Sequence, residues 1–446
     1  MTAPAVTADA VREFRWYWVS QSSGVLGSQV ATFLLPTIAI VQFGASGTQV
    51  GLLTAAGTVA YPALGLFAGV LADRVRRRPV MVVADLARAA AFAWLPVAAA
   101  LAWLGFADLL VVAFAVGALG VLFDVAAQSH LPTLLPRPML AMANARMEAT
   151  MAVAVLAGPV AGGLLLQVFP GAVAPAVAAV LFLISVLALT RLRSREPAPV
   201  RVRDTTALRE IREGVVTLLG HPLLRPTTIA GAARSFGNAA TGTIALVFAY
   251  QVLGLAPGVV GLLLTVSGAA GIVGAWTSTR VVARLGMGRT LVVSCASGAV
   301  WMLAPLAMWL PPVPVYLAVG AFAAVWLPMW NATVTTLRQV VTPTDLLGRV
   351  HATARTVNFS MMPVGAFLGG AGAGALGALL GQEAGFATVF LICAVPSVAG
   401  AVALLRASLG SVSVPAGADH VGGGPGDGED GDRDREQARE RDEQIP

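Results

Sequence analysis

Lysine is absent, so every basic side chain other than histidine is an arginine. That is a bias of composition from which no mechanism follows. Charge of either sign is scarce, at 12% of 446 residues, while 57% are hydrophobic and the mean hydropathy is +0.78. A soluble globular chain carries roughly 25% charged and about 45–50% apolar residues. A chain this long and this apolar cannot cover its own core with polar surface, so its solvent is lipid, which excludes a soluble enzyme or a DNA-binding protein. There are only two cysteines, Cys295 and Cys393, both in apolar runs. With no CxxC, no metal-ligand spacing and no disulfide framework, neither a metal nor any other cofactor is expected. The four histidines, His130, His221, His351 and His420, are scattered. A membrane-embedded transferase would need them clustered with acids. No GxxxxGK[ST] sequence exists to draw power from ATP.

What the chain has instead is long apolar runs. A spanning helix takes about 20 apolar residues. Twelve candidates lie at 16–43, 49–72, 80–104, 108–128, 146–168, 171–190, 227–252, 258–281, 290–310, 313–336, 350–379 and 385–405. The first run is too long for a signal-peptide core of about 7–15 residues and is expected to remain as a spanning helix. The longest break follows the sixth run. It carries RLRSREPAPVRVRD and then the amphipathic ALREIREGVVTLLG. The expected plan is all-α and polytopic, with twelve transmembrane helices in two pseudo-symmetric six-helix bundles. The first bundle occupies 1–190, a linker 191–226, the second bundle 227–406, and an acidic, disordered tail 407–446.

The net charge of +6 and a pI near 10.3 invite a nucleic-acid reading, but the charge alternates along the chain. Five connections are basic: 73–79, 130–146, 191–226, 284–289 and 337–349. The six others, 44–48, 105–108, 169–171, 254–258, 311–314 and 381–385, contain no arginine. Short basic loops stay cytoplasmic. The asymmetry therefore implies both termini inside an inner membrane, with lipid rather than nucleic acid as the partner of the basic chain. After residue 415 the tail has ten acids against four arginines and almost no apolar residues, a composition that does not fold alone.

Shifting the sequence by 207 residues aligns LLPRPMLAMANARMEATMAVAVLAGPVAGG, ending at Gly163, with VTPTDLLGRVHATARTVNFSMMPVGAFLGG, ending at Gly370. Gly158 then falls on Gly365, and Gly162–Gly163 on Gly369–Gly370. Similarity at matching places in two six-helix halves is the mark of a duplicated transporter.

The loop after the second run reads GVLADRVRRRPVM. It resembles motif A of the major facilitator superfamily, matched here by Gly69, Asp73, Arg74, Arg77 and Arg78; Arg76 stands where the family usually has glycine. The resemblance implies a conformational gate in which Asp73, at the inner helix end, pairs with a cation or a helix N-terminus. In the fifth run, Gly158-Pro159-x-x-Gly162-Gly163 resembles the core of the superfamily's antiporter motif, associated with exporters. Gly and Pro there permit a kink and close packing. Asn144 and Ala145, with Arg338, Gln339, Pro343, Gly348 and Arg349, look like the subgroup containing macrolide-efflux and enterobactin-exporter proteins.

Ionisable groups within spans are functional candidates by default. Asp85 and Arg88, three apart on one helix face, can pair. Asp124 and Glu148 complete an expected ion-pair network or proton-coupling set, all within about two turns of the cytoplasmic ends. Deeper polar groups, Gln21, Gln29, Arg234, Asn238, Asn331 and Asn358, together with Trp330, are cavity candidates. The resemblance implies that helices one, seven and ten line the cavity. The leading expectation is a monomeric secondary exporter of a lipophilic or amphipathic small molecule such as a drug, antibiotic or siderophore, exchanged for protons. An uptake permease for a nutrient, or a polytopic membrane enzyme, are the alternatives.

Overall fold

The computed structural model describes residues 8–74, 76–169, 171, 173–193, 207–343 and 346–407; the side chains of residues 8, 65–74, 137 and 207–211 are outside that description. The charged stretch at 194–206 and the tail beyond 407 lie outside the described residues. Among those described, the elements are α1 (Ala8–Phe43), α2 (Gly47–Arg74), α3 (Arg77–Ala100), α4 (Phe106–Leu134), α5 (Arg137–Val168), α6 (Ala174–Thr190), α7 (Ala207–Gly220), α8 (Leu224–Gln251), α9 (Pro257–Leu285), α10 (Met287–Ala296), continued by 3₁₀ turns over Ser297–Met308, α11 (Pro312–Val341), α12 (Leu347–Leu380) and α13 (Gln382–Arg406). Each apolar run has become one helical rod, six before α7 and six after it. The amphipathic segment of the linker is α7.

Nine of the described helical segments are long and apolar enough to cross a membrane, and Ala174–Thr190 is a shorter apolar helix. α8 is more polar, because Arg234, Asn238 and a run of threonines interrupt it. Starts and stops follow local chemistry. Proline opens α9 and α11, where its missing N–H is not needed. At the start of α4, the Asp108 carboxylate accepts the Gly105 N–H at 2.9 Å and the Trp94 indole N–H at 2.9 Å, capping α4 and tying it to α3. Large apolar side chains such as Val111, Val168, Trp276, Trp309 and Leu405 stay exposed on the outer faces. A lipid solvent removes the penalty for that exposure.

Two of the expected helices run further than their apolar cores. α4 continues to Leu134 instead of ending near 128, so Asp124 lies ten residues inside it, about 15 Å from its end. α5 begins at Arg137, so Glu148 is eleven residues in. Hydropathy marks the lipid-facing length, whereas backbone hydrogen bonding carries the helix beyond it. Neither carboxylate is within two turns of a helix end, as the sequence had suggested.

The repeat is visible in the packing. A methyl group on Gly158 of α5 would lie 2.9 Å from the backbone carbonyl carbon of Gln29 in α1; on Gly365 of α12 it would lie 2.9 Å from that of Phe236 in α8. Likewise Gly162 abuts Phe33, and Gly369 abuts Ala240, each at 2.7 Å. Both members of each pair are displaced by 207 residues from their counterparts, so α1–α5 and α8–α12 are the same contact made twice. Only glycine permits it, since real side chains do not sit that close.

The same symmetry joins the halves at the arginine-poor end. A methyl on Gly163 would meet the Cα of Gly258 in α9 at 3.1 Å, and one on Gly370 the Cα of Gly51 in α2 at 2.8 Å. These pairs again differ by 207. The Thr265 hydroxyl donates to the Leu156 carbonyl at 2.7 Å, and the Gln251 amide donates to the Ala45 carbonyl at 2.9 Å. The hydroxyls of Thr37 and Tyr250 approach to 3.3 Å. The halves are thus sealed to each other along two glycine seams, α2–α12 and α5–α9.

Candidate functional site

Between the halves, on the arginine-rich side of the seams, lies a cavity of about 830 Å³. Its wall is built from helical stripes. α4 contributes Val121, Asp124, Val125 and Gln128, at i, i+3, i+4 and i+7. α11 contributes Leu327, Trp330, Asn331, Val334, Thr335 and Arg338, the same period extended to i+11. α12 adds His351, Arg355, Asn358, Phe359 and Met362; α8 adds Arg234, Ser235 and Asn238; and α2 adds Tyr61 and Pro62. Such spacing puts each set on one helix face.

Tyr61 and Phe359 stack across the two halves, with centroids 5.1 Å apart. The Tyr61 hydroxyl donates to the Asp124 carboxylate at 2.9 Å. The Arg355 guanidinium lies over Phe359 at 5.4 Å and within electrostatic reach of Asp124. Asp124 of the first half and Arg355 of the second therefore face each other with two aromatic rings between their helices. On the opposite wall, Arg234 donates to the Ser294 carbonyl and lies over the Trp330 ring at 5.8 Å. Cation–π contacts of this kind hold an arginine in an apolar wall without a carboxylate.

Of the cavity candidates named from the sequence, Arg234, Asn238, Trp330, Asn331 and Asn358 line this space. Gln21 and Gln29 do not. Gln29 packs against Gly158 in the α1–α5 contact, and the Gln21 amide nitrogen is buried without a hydrogen-bond partner. Asp85 and Arg88 pair with each other inside the first half, both buried, and both lie within electrostatic reach of Asp124. Asp85 also accepts from Ser185, whose hydroxyl meets Ser20 at 2.8 Å. Arg88 donates to Ser28 at 3.3 Å and is sandwiched between the rings of Phe123 and Phe182 at 4.6 and 4.7 Å. Glu148 is exposed on α5 and makes no ion pair among the described residues, so of the expected four-residue set Asp85, Arg88 and Asp124 interact electrostatically while Glu148 lies apart.

Gly69, Asp73 and Arg74 fall in the part of α2 whose side chains lie outside the described residues. Arg78 donates from Nε to the Leu189 carbonyl and from Nη2 to the Thr190 carbonyl, both at 3.0 Å. It thereby caps the C-terminus of α6, where orphan carbonyls and the helix dipole both favour a cation. Arg77 is half-buried beside it. Gly158, Pro159, Gly162 and Gly163 lie in the packing contacts: the first, third and fourth as described above, Pro159 against Gly261 of α9.

Tyr61, Arg338, Arg355 and Phe359 escaped the sequence reading as cavity residues. The signal for α12 was present: His351, Arg355, Asn358, Phe359 and Met362 form a stripe at helical spacing. Tyr61 had none, because its partner Asp124 is 63 residues away and on another helix.

A cavity between two pseudo-symmetric six-helix halves, sealed at one end, is the architecture of an alternating-access transporter. The sequence profile of the Major Facilitator Superfamily matches residues 17–366, and the chain belongs to that family. It is a multi-pass membrane transporter of a small molecule. Among characterised proteins, the multidrug efflux pump Tap of Mycolicibacterium fortuitum is 27% identical over 371 residues, covering 80% of this chain and 86% of the pump. Among solved structures, the nucleoside transporter NupG has 12% identity and a TM-score of 0.69, over 91% of this chain and 100% of that one. A bacterial homologue of the iron transporter ferroportin in its inward-facing state gives 15% identity and a TM-score of 0.69, over 91% and 100% of the two chains. In its outward-facing state it gives 0.54 at 16% identity, over 90% and 100%.

Proposed function

We propose that this transporter is a monomeric exporter of lipophilic or amphipathic small molecules, exchanging them for protons across the cytoplasmic membrane. Both termini and the 191–226 linker lie on the cytoplasmic side, joining halves 1–190 and 227–406. The observation that carries the reading is the cavity itself: it faces the arginine-rich end, while two glycine seams close the arginine-poor end. Taken with the positive-inside asymmetry, this is a cavity loaded from the cytoplasm. The higher shape similarity to an inward-facing relative than to its outward-facing form agrees. The name of the efflux relative and the Gly-Pro-x-x-Gly-Gly pattern of α5 favour export.

In this scheme Asp124 is the proton site. It is the carboxylate among the described cavity residues, it is half-buried, and it faces Arg355 of the other half. Ionised, it attracts Arg355 and draws the cytoplasmic ends together. Protonated, it releases them, so proton arrival from outside resets the inward-facing state. Motif A, through Gly69, Asp73, Arg74, Arg77 and Arg78, supports the closed cytoplasmic face. The test is efflux of a fluorescent drug from energised cells, with and without a protonophore. Export is expected to collapse with the protonophore. Asp124→Asn is expected to lose uphill export while retaining exchange of substrate down its gradient. Parental uphill export by Asp124→Asn would remove the proton role from this carboxylate.

A further inference from the structure

The charge lining the cavity is unbalanced. Among the described side chains it holds three arginines, Arg234, Arg338 and Arg355, against the single carboxylate of Asp124. All three arginines belong to the second half. Arg355 faces Asp124, but neither Arg234 nor Arg338 meets a carboxylate among the described residues. Both are nearly buried, at 7% and 6% exposure. Arg338 is the sharper case: its Nε and Nη2 are buried with no hydrogen-bond partner.

A guanidinium stays charged in a protein. Leaving its donors unsatisfied away from water is unfavourable, and the cost is larger for a charged group than for a neutral one. The missing partner must accept hydrogen bonds, and a negatively charged acceptor matches the guanidinium best. A planar fork of N–H groups matches the two oxygens of a carboxylate, sulfonate or phosphate. In the same lining, the Asn358 Oδ1 is also buried without a hydrogen-bond partner, its amide against Gly231 of α8. The rest of the wall, including Val121, Leu327, Trp330 and Phe359, is apolar or aromatic.

We propose that the cavity selects amphipathic organic anions, whose acid group pairs with Arg338 and whose apolar body lies against the Trp330 and Phe359 walls. The inference rests on this cavity being the substrate site and names its substrate class; it is independent of the direction of transport.

The experiment uses the full chain in lipid nanodiscs at mildly alkaline pH. Two planar xanthene dyes of like size are titrated by fluorescence anisotropy: fluorescein, an anion, and a rhodamine methyl ester, a cation. Fluorescein is expected to bind about tenfold or more tighter, and Arg338→Gln to weaken it by about tenfold without weakening the rhodamine, the scale of one charge-assisted hydrogen bond. Arg338→Lys should retain an intermediate affinity. Asp124→Asn removes the opposing charge and should tighten fluorescein by roughly threefold, a gain that misfolding cannot produce. Tighter binding of the cation, binding of neither dye, or fluorescein affinities indifferent to all of these substitutions would overturn the assignment. Direction is read separately in proteoliposomes. Anion-selective binding with inward transport alone would sink export and leave the substrate class standing. Export of the rhodamine with cation-selective binding would do the reverse.

Discussion

Arg88 shows how one residue can be both expensive and fixed. Its guanidinium is 3% exposed, pairs with Asp85, and is held between Phe123 and Phe182. Breaking a buried pair by removing one partner costs about 3–5 kcal/mol, whereas replacing both by apolar groups of like volume is often neutral. Arg88→Leu is therefore expected to lower the melting midpoint and the yield of monodisperse protein, because Asp85 loses its counter-charge. The double variant Asp85→Leu, Arg88→Met should recover most of the loss. Size-exclusion profiles after a heating series would check this, and a double variant as unstable as the single one would defeat the argument. The pair itself was legible, because three residues on a helix bring two side chains to one face. Its surroundings were not: Ser185 and the two rings come from α4 and α6, and no local pattern links them to α3. The same division holds in the cavity, where the polar stripes could be read one helix at a time but the meeting of Tyr61 with Phe359 could not.

Helices meet here through glycine, and the seams set the conformational balance. A methyl group on Gly51 would lie 2.6 Å from the Ala366 carbonyl oxygen, and one on Gly163 2.6 Å from that of Pro257. Neither obstacle is the end of a flexible side chain, so a larger residue must push the helices apart. Gly51→Leu is expected to open the α2–α12 seam, and Gly163→Leu the α5–α9 seam, which is its pseudo-symmetric mate. Both should bias the protein towards the form open at the arginine-poor end and slow transport. A cysteine introduced at Asn358 reads the balance, since its accessibility from that end should rise in both variants. A rise in one and not the other would contradict the symmetry; no rise in either would show that the seams are not the closing contact. At this scale the sequence was informative. Twelve apolar runs became twelve rods, and the amphipathic segment became α7. The repeat located the glycines, but only the packing revealed that the matching partners, Gln29 with Phe236 and Gly258 with Gly51, obey the same displacement. Periodicity marks the face of a helix and is silent about what will cover it.

Across the whole molecule, the arginines decide orientation. Five connections at one end are basic and six at the other contain no arginine, an asymmetry that the insertion machinery reads one loop at a time. Both native cysteines are buried, Cys295 at 0% and Cys393 at 5% exposure, so an impermeant thiol reagent has little to attack in the parent protein. Single cysteines at exposed ends can then report sidedness directly. Ser46→Cys, in the connection between α1 and α2, is expected to label in intact cells. Gly220→Cys, at the exposed C-terminal end of α7, should label only in everted vesicles. Asn358→Cys, within the cavity, should also label from the everted side while the seams hold, and fluorescein should protect it if the anion sits against Arg338. Labelling of Gly220→Cys in intact cells would invert the topology. The cavity would then load from outside, and with it the case for export would fall, because the glycine seams that the proposed topology places at the outer face would seal the inner one.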